Sequence, residues 1–327
     1  MVDVGSDKWL AKQLSVGESC LEKAYCVLDD GRQIHYLRWR RKPLNVKNWD
    51  VIPATLLVHG AAANAYWYGY FAPLLFNEAK GFDIIAISNS GNGDSSNLNS
   101  YSVSDWADET LNVARTLKLF RAAKPKVVAH SFGCFIATYM FLRSGDLFSG
   151  LVLIDCPISE FDVDVKVGPT PNGEQLRFKP HIHKTTTPGE RFRLMPDQPI
   201  KHPALVKHVA EQSSVKVLQG FHWKGDPDRD LKMIHTKHPL ITGEKLLNIN
   251  KTKCKVGYIY GTETAIVKSK AGNFIPYVYK SLSPYIPVIP IESAGHHVWL
   301  DKPVECAAAV ILLFEKFDDT HLAFSSL

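Results

Sequence analysis

The chain has 327 residues, 45% of them hydrophobic and 11% aromatic, and a net charge of +5. That length and apolar content suffice for one large core with an appended smaller domain, and they exclude a disordered chain. The longest apolar runs, such as Ala307 to Phe314, fall well short of the ~20 residues a bilayer span needs, and the opening MVDVGSDKWLAKQL lacks the basic start and apolar stretch of a signal peptide, so the expectation is a soluble, unsecreted protein.

In chain order, AYCVLDD and RQIHYLRWR, separated around Asp30 and Gly31, predict a β-hairpin. The densest basic cluster, Leu37 to Lys47, reads as a strand end running into a solvated loop; no recognised binding module surrounds it, which argues against a nucleic-acid partner. ATLLVHG (Ala54 to Gly60) predicts a buried strand, AYWYGYFAPLLFNEA a helix, and FDIIAIS (Phe82 to Ser88) a second buried strand ending in the turn-rich NSGNGDSS. VSDWADETLNVARTLKLF has Trp106, Val113, Ala114 and Leu117 at helical spacing behind Ser104, the expected N-cap. KVVAH is a strand, CFIATYMFLR a helix, and GLVLID (Gly150 to Asp155) a strand.

From about Pro157 to Asn250 this rhythm breaks down, Pro and Gly recur, and seven of the thirteen histidines fall there. A long irregular insertion inside a compact domain is usually functional. Afterwards KVGYIYG predicts a strand, GNFIPYVYKSL a helix, PVIPIES a strand and PVECAAAVILLFEKF a closing helix. The alternation implies an α/β fold with a mostly parallel central sheet covered on both faces. Its core spans 1–156 and 251–327, with 157–250 inserted.

Six cysteines (Cys20, Cys26, Cys134, Cys156, Cys254, Cys306) lie without CxxC spacing, which fits reduced thiols in the cytoplasm. The HIH at His181 to His183 has no carboxylate or cysteine at ligand spacing, so no metal and no cofactor is expected.

The segment that points to chemistry is KVVAHSFGCFIA, in which Ser131 stands between a strand-like and a helix-like run, flanked by the small Ala129 and Gly133. A serine at a sharp strand-to-helix turn is pushed out of the sheet, and the helix N-terminus aims its amides toward developing negative charge. Ala129-His130-Ser131-Phe132-Gly133 approximates GxSxG with alanine in the first slot. LLVHGAAANAYW places His59-Gly60 at a strand end, and SAGHHVWLDKP places His296 between the last strand and the closing helix. With these features together, the chain resembles the α/β-hydrolase superfamily over nearly everything outside 157–250.

The resemblance implies Ser131 as nucleophile, His296 as its base, and the backbone amides of Ala61 and Phe132 as the oxyanion hole. His59 would shape the HG loop, while His130, Tyr66 and Trp67 are candidate pocket walls; His297 is one place past the expected base. The acid departs from the pattern. Its usual slot, three residues after Gly261, is occupied by Thr264. Asp155, at the end of the strand after the nucleophile helix, is the preferred candidate, as in haloalkane dehalogenases, with Glu263 the alternative. A serine nucleophile excludes carboxylate-based dehalogenation and epoxide opening and leaves ester, thioester, lactone or amide carbonyls, with esters and lactones favoured by their leaving groups. Carbon–carbon hydrolysis and base-only lyase chemistry are the rivals on the same fold, and a non-hydrolytic receptor is the alternative of another class. The resemblance makes the insertion a lid, with Phe161, Phe178, Phe192, Phe221 and Trp223 available to wall an apolar substrate.

Overall fold

The structure, a computed structural model, describes residues 3–47, 49, 51–121, 123–158, 187–188, 192–218, 220–234, 241–251, 254–265 and 282–319. The predicted hairpin is β1 (Leu21–Val27) with β2 (Gln33–Arg41), and the apolar runs form β3 (Ala54–Val58), β4 (Phe82–Ile87), β5 (Lys126–His130), β6 (Gly150–Ile154), β9 (Lys255–Gly261) and β10 (Val288–Ile291). These eight strands make one sheet in the order β1-β2-β4-β3-β5-β6-β9-β10, parallel from β4 onward, with β2 antiparallel to both its neighbours. Every residue of β4, β5 and β6 is buried, as expected of parallel strands covered on both faces.

Alternation along the strands divides the core in two. Leu56 and Val58 pack with Val113 of α2 (Val103–Thr116), Met140 of α3 (Phe132–Ser144) and Leu246 of α5 (Gly243–Lys251). Leu57 packs on the opposite face with Trp9 of α1 (Asp7–Glu18) and Val310 of α6 (Pro303–Asp318). Because β3 has β4 on one side and β5 on the other, the chain reverses its winding there, and a crevice opens at the carboxyl ends of the strands.

Several expectations change. AYWYGYFAPLLFNEA forms two 3₁₀ turns, Ala65–Tyr68 and Ala72–Leu75, instead of one helix. Pro73 lacks an amide hydrogen to continue a helical ladder, and Trp67, Tyr68, Tyr70, Phe71 and Leu75 are all buried, so no amphipathic stripe exists to favour an α-helix. The N-cap of α2 is Ser102, not Ser104: its Oγ accepts the Asp105 amide at 3.1 Å and its hydroxyl donates to the Asp105 carboxylate at 2.7 Å. The Ser-x-x-Asp spacing supplies this reciprocal cap two residues upstream. Helix α1, capped by Ser6, was not anticipated.

Within the basic cluster, Arg38 is buried in a two-pronged pair with Asp83, and Arg41 pairs with Glu78. The described residues of the 157–250 segment include α4 (Pro203–Gln212), a hairpin of β7 (Ser214–Val217) with β8 (Gly220–Trp223), and most of α5, whose Leu246 and Ile249 join the core. GNFIPYVYKSL falls almost wholly outside the described residues, and Phe161, Phe178 and His181 to His183 lie entirely outside them. No helix among the described residues is long and apolar enough to cross a membrane.

Candidate active site

The carboxyl ends of β3, β5 and β6, with the turns after β9 and β10, carry the candidate residues to one place. Ser131, between β5 and α3, has φ +51° and ψ −121°, a region that an L-residue occupies at a cost in strain of order 1–3 kcal/mol. Its amide is held by the Ile154 carbonyl at 3.0 Å. The turn also needs a glycine two residues on, since a Cβ at Gly133 would lie 2.5 Å from the His59 carbonyl oxygen and 2.7 Å from that of Val58.

His296 Nε2 lies 2.8 Å from Ser131 Oγ, and its Nδ1 lies 2.6 Å from Asp155 Oδ2. With the carboxylate accepting from Nδ1, Nε2 is left as the acceptor facing the serine hydroxyl. Asp155 is wholly buried and has φ +49°. Its charge is compensated by three donors: the Gly261 amide to Oδ1 at 3.0 Å, and the Thr264 hydroxyl at 2.7 Å and His296 Nδ1, both to Oδ2. Glu263 does not reach His296; its carboxylate extends outward to Lys201 at 2.9 Å. The threonine in the usual acid slot thus touches the carboxylate that stands beside the histidine, a contact that sequence reasoning missed although it singled out the position.

Three further histidines near the site, His59, His130 and His297, are buried. His59 accepts the Asn89 amide at Nε2 (3.1 Å), so its Nδ1 donates to the Gly60 carbonyl (2.8 Å), and burial pulls its pKa down to about 4. It is built into the HG turn and lines the adjacent cavity. His130 donates from Nε2 to the His296 carbonyl oxygen at 3.0 Å, and burial holds its pKa well below the usual imidazole range. His297 points the other way, donating to the Met195 carbonyl at 3.1 Å, with its pKa lowered to about 3 by burial and then by His296.

A cavity of about 90 Å³ opens beside this group, lined by Gly60, Ala61 and Phe132 together with Trp106, Met233 and Arg229. A Cβ at Gly60 would come within 3.0 Å of Ser131 Cβ, so Gly60 and Phe132, which line the cavity, are immediate neighbours of the serine. Among the described residues the Ala61 amide has no hydrogen-bond partner, and Phe132 occupies the first position of α3. Three expected pocket walls lie elsewhere. Tyr66 donates to Asp94 at 2.8 Å and stacks on His35; Trp67 is buried between Phe192 and His297; and His130 lies behind His296, edge-on to Trp299. The local pattern marks aromatics without saying which way each faces. Conversely Asn89, Asn92 and Arg229 line the cavity, and no sequence signal set them apart.

Among the described residues no group of His, Cys, Asp and Glu is arranged to hold a metal ion. A family model described as the alpha/beta hydrolase fold matches residues 53–179. No curated protein sequence matches the chain. Among solved structures, a hypothetical protein from Pseudomonas aeruginosa PAO1 aligns with TM-score 0.65 at 21% identity, covering 90% of this chain and 99% of its own. The thioesterase domain from the curacin biosynthetic pathway aligns with TM-score 0.63 at 17% identity over 89% and 99% of the two chains. E-2-(acetamidomethylene)succinate hydrolase aligns with TM-score 0.65 at 16% identity over 90% and 99%. At these identities the likenesses speak for the fold alone, and with the matched segment and the sheet order they show that the chain has the α/β-hydrolase fold.

Proposed function

We propose that the protein is a serine hydrolase that cleaves an ester or lactone bond of a small, largely apolar substrate through an acyl-enzyme intermediate. The observation that carries this reading is the unbroken set of contacts from Asp155 through His296 to Ser131 Oγ, at 2.6 and 2.8 Å, on a strained strand-to-helix turn.

Ser131 Oγ attacks the carbonyl carbon while His296 Nε2 takes its proton, and Asp155 stabilises the imidazolium that forms. The amides of Ala61 and Phe132 receive the oxyanion, each such donor being worth roughly 3–4 kcal/mol of barrier. As the tetrahedral intermediate collapses, the carbon–oxygen bond to the leaving alcohol breaks and His296 returns the proton to that oxygen. Water, deprotonated by the same nitrogen, then attacks the acyl carbon; the bond to Ser131 Oγ breaks as His296 returns that proton to the serine oxygen, and the acid is released. All six cysteines are free thiols, which supports a reducing, cytoplasmic setting.

Labelling with a fluorophosphonate probe, read by mass spectrometry of the Ser131 peptide, tests the assignment. The expected result is one adduct, on Ser131, that is absent in Ser131→Ala. A protein that binds small esters yet resists labelling and turnover belongs instead to the receptor class.

A further inference from the structure

The cavity beside Ser131 is mostly apolar, yet it contains a guanidinium. Arg229 reaches it from the insertion, and its side chain is only 14% exposed. Its position is fixed: Nε and Nη2 donate to Asp230 Oδ1 at 3.0 and 2.7 Å, and Nη1 donates to Asn92 Oδ1. The segment bearing it is docked on the loop after β4, where Asn92 bridges to Gly225 and the Asp226 amide donates to the Gly91 carbonyl at 3.1 Å. A guanidinium has five N–H donors. Three are used in these contacts, which leaves one on each terminal nitrogen without a partner among the described residues.

Two spare donors on one planar, permanently charged group, largely removed from water, match the two oxygens of a carboxylate. Asp230 also lines the cavity, but it is 40% exposed and takes both hydrogen bonds on one oxygen, so it leaves the two remaining guanidinium hydrogens unused. At about 90 Å³, the cavity that Ala61, Phe132, Trp106 and Arg229 line has room for a few carbon atoms and not for a long chain.

We propose that Arg229 is a specificity-determining residue that receives a carboxylate at the far end of a short acyl chain, so that the preferred substrates are half-esters of small dicarboxylic acids. This rests on the hydrolase reading above and narrows its substrate class.

The test is equilibrium binding to Ser131→Ala by calorimetry, which needs no turnover, comparing monoethyl succinate with its neutral isostere ethyl 4-methylpentanoate. Charge-assisted hydrogen bonds of this kind predict about a 10- to 100-fold preference for the half-ester. Arg229→Gln, added to Ser131→Ala, should reduce that preference to about threefold or less. Equal binding of the two esters, tighter binding of the neutral one, or binding of neither overturns the proposal, and none of these results needs the arginine variant to fold. Fluorophosphonate labelling of the parent protein reports separately on the hydrolase reading: labelling without half-ester preference sinks only the carboxylate subsite, and half-ester preference without labelling sinks only the hydrolase.

Discussion

Replacing Asp155 with asparagine removes one charge from a buried carboxylate while keeping its shape. The Gly261 amide can still donate to the remaining carbonyl oxygen, so the fold should persist. At Oδ2 the situation inverts. His296 Nδ1 and the Thr264 hydroxyl both donate there, at 2.6 and 2.7 Å. An amide NH₂ facing them forces the imidazole to carry its proton on Nε2, the nitrogen 2.8 Å from Ser131 Oγ, which can then no longer accept the serine proton. The lost attraction between carboxylate and imidazolium, with charge centres about 4 Å apart at an effective dielectric of about 20, is about 4 kcal/mol. That alone is roughly a thousandfold in rate, and the wrong tautomer adds about another tenfold. The expected loss in kcat on p-nitrophenyl butyrate is therefore about 10⁴-fold, with Tm nearly unchanged, whereas Glu263→Gln, which alters a half-exposed pair with Lys201 away from His296, should stay within about twofold. Activity of Asp155→Asn within tenfold of the parent, or an equal loss in Glu263→Gln, would falsify the role given to Asp155.

Ser131→Ala and His296→Ala should each abolish ester hydrolysis, and the double variant should lose little more than either, since the two act as a unit; losses that multiply in steady-state assays would separate them. Thr264→Val removes a hydroxyl donated to a buried charge and should lower kcat about tenfold or more with KM unchanged, while Thr264→Ser restores most of it. Gly133→Ala should lower Tm and slow fluorophosphonate labelling, because its methyl group would lie 2.5 Å from a backbone oxygen; normal labelling kinetics would argue against the tight turn. His35, His59 and His208 have pKa values lowered to about 4 and His297 to about 3, chiefly by burial. The unfolded chain binds these protons near pH 6.5 and the folded chain does not, so stability is complete above that pH and falls as pH drops from about 6.5 toward 4. Calorimetric Tm values between pH 7.5 and 4.5 should show this decline, and His297→Gln should flatten it.

Local chemistry made most of the scaffold legible. Continuous apolar runs predicted the buried parallel strands, turn residues predicted the hairpin, and small residues around Ser131 predicted a corner, because each depends on neighbours a few positions apart in the chain. The order of Ser131 and His296 was readable for the same reason, each standing just past its own strand. The failures lie where contacts join distant positions. Asp155 and Glu263 both follow strands, and only the placement of β6 beside β5, with the positive φ at Asp155, turns one carboxylate inward to a histidine 141 residues away while the other extends to Lys201. Tyr66 and Trp67 looked equally suited to line a pocket, but packing against His35 and Phe192 took them elsewhere. Arg229 carries no motif at all. It reaches the cavity because its segment docks on the loop after β4, and backbone pairing between Asn92 and Gly225, 133 positions apart, is decided by the assembled sheet and not by the residues on either side.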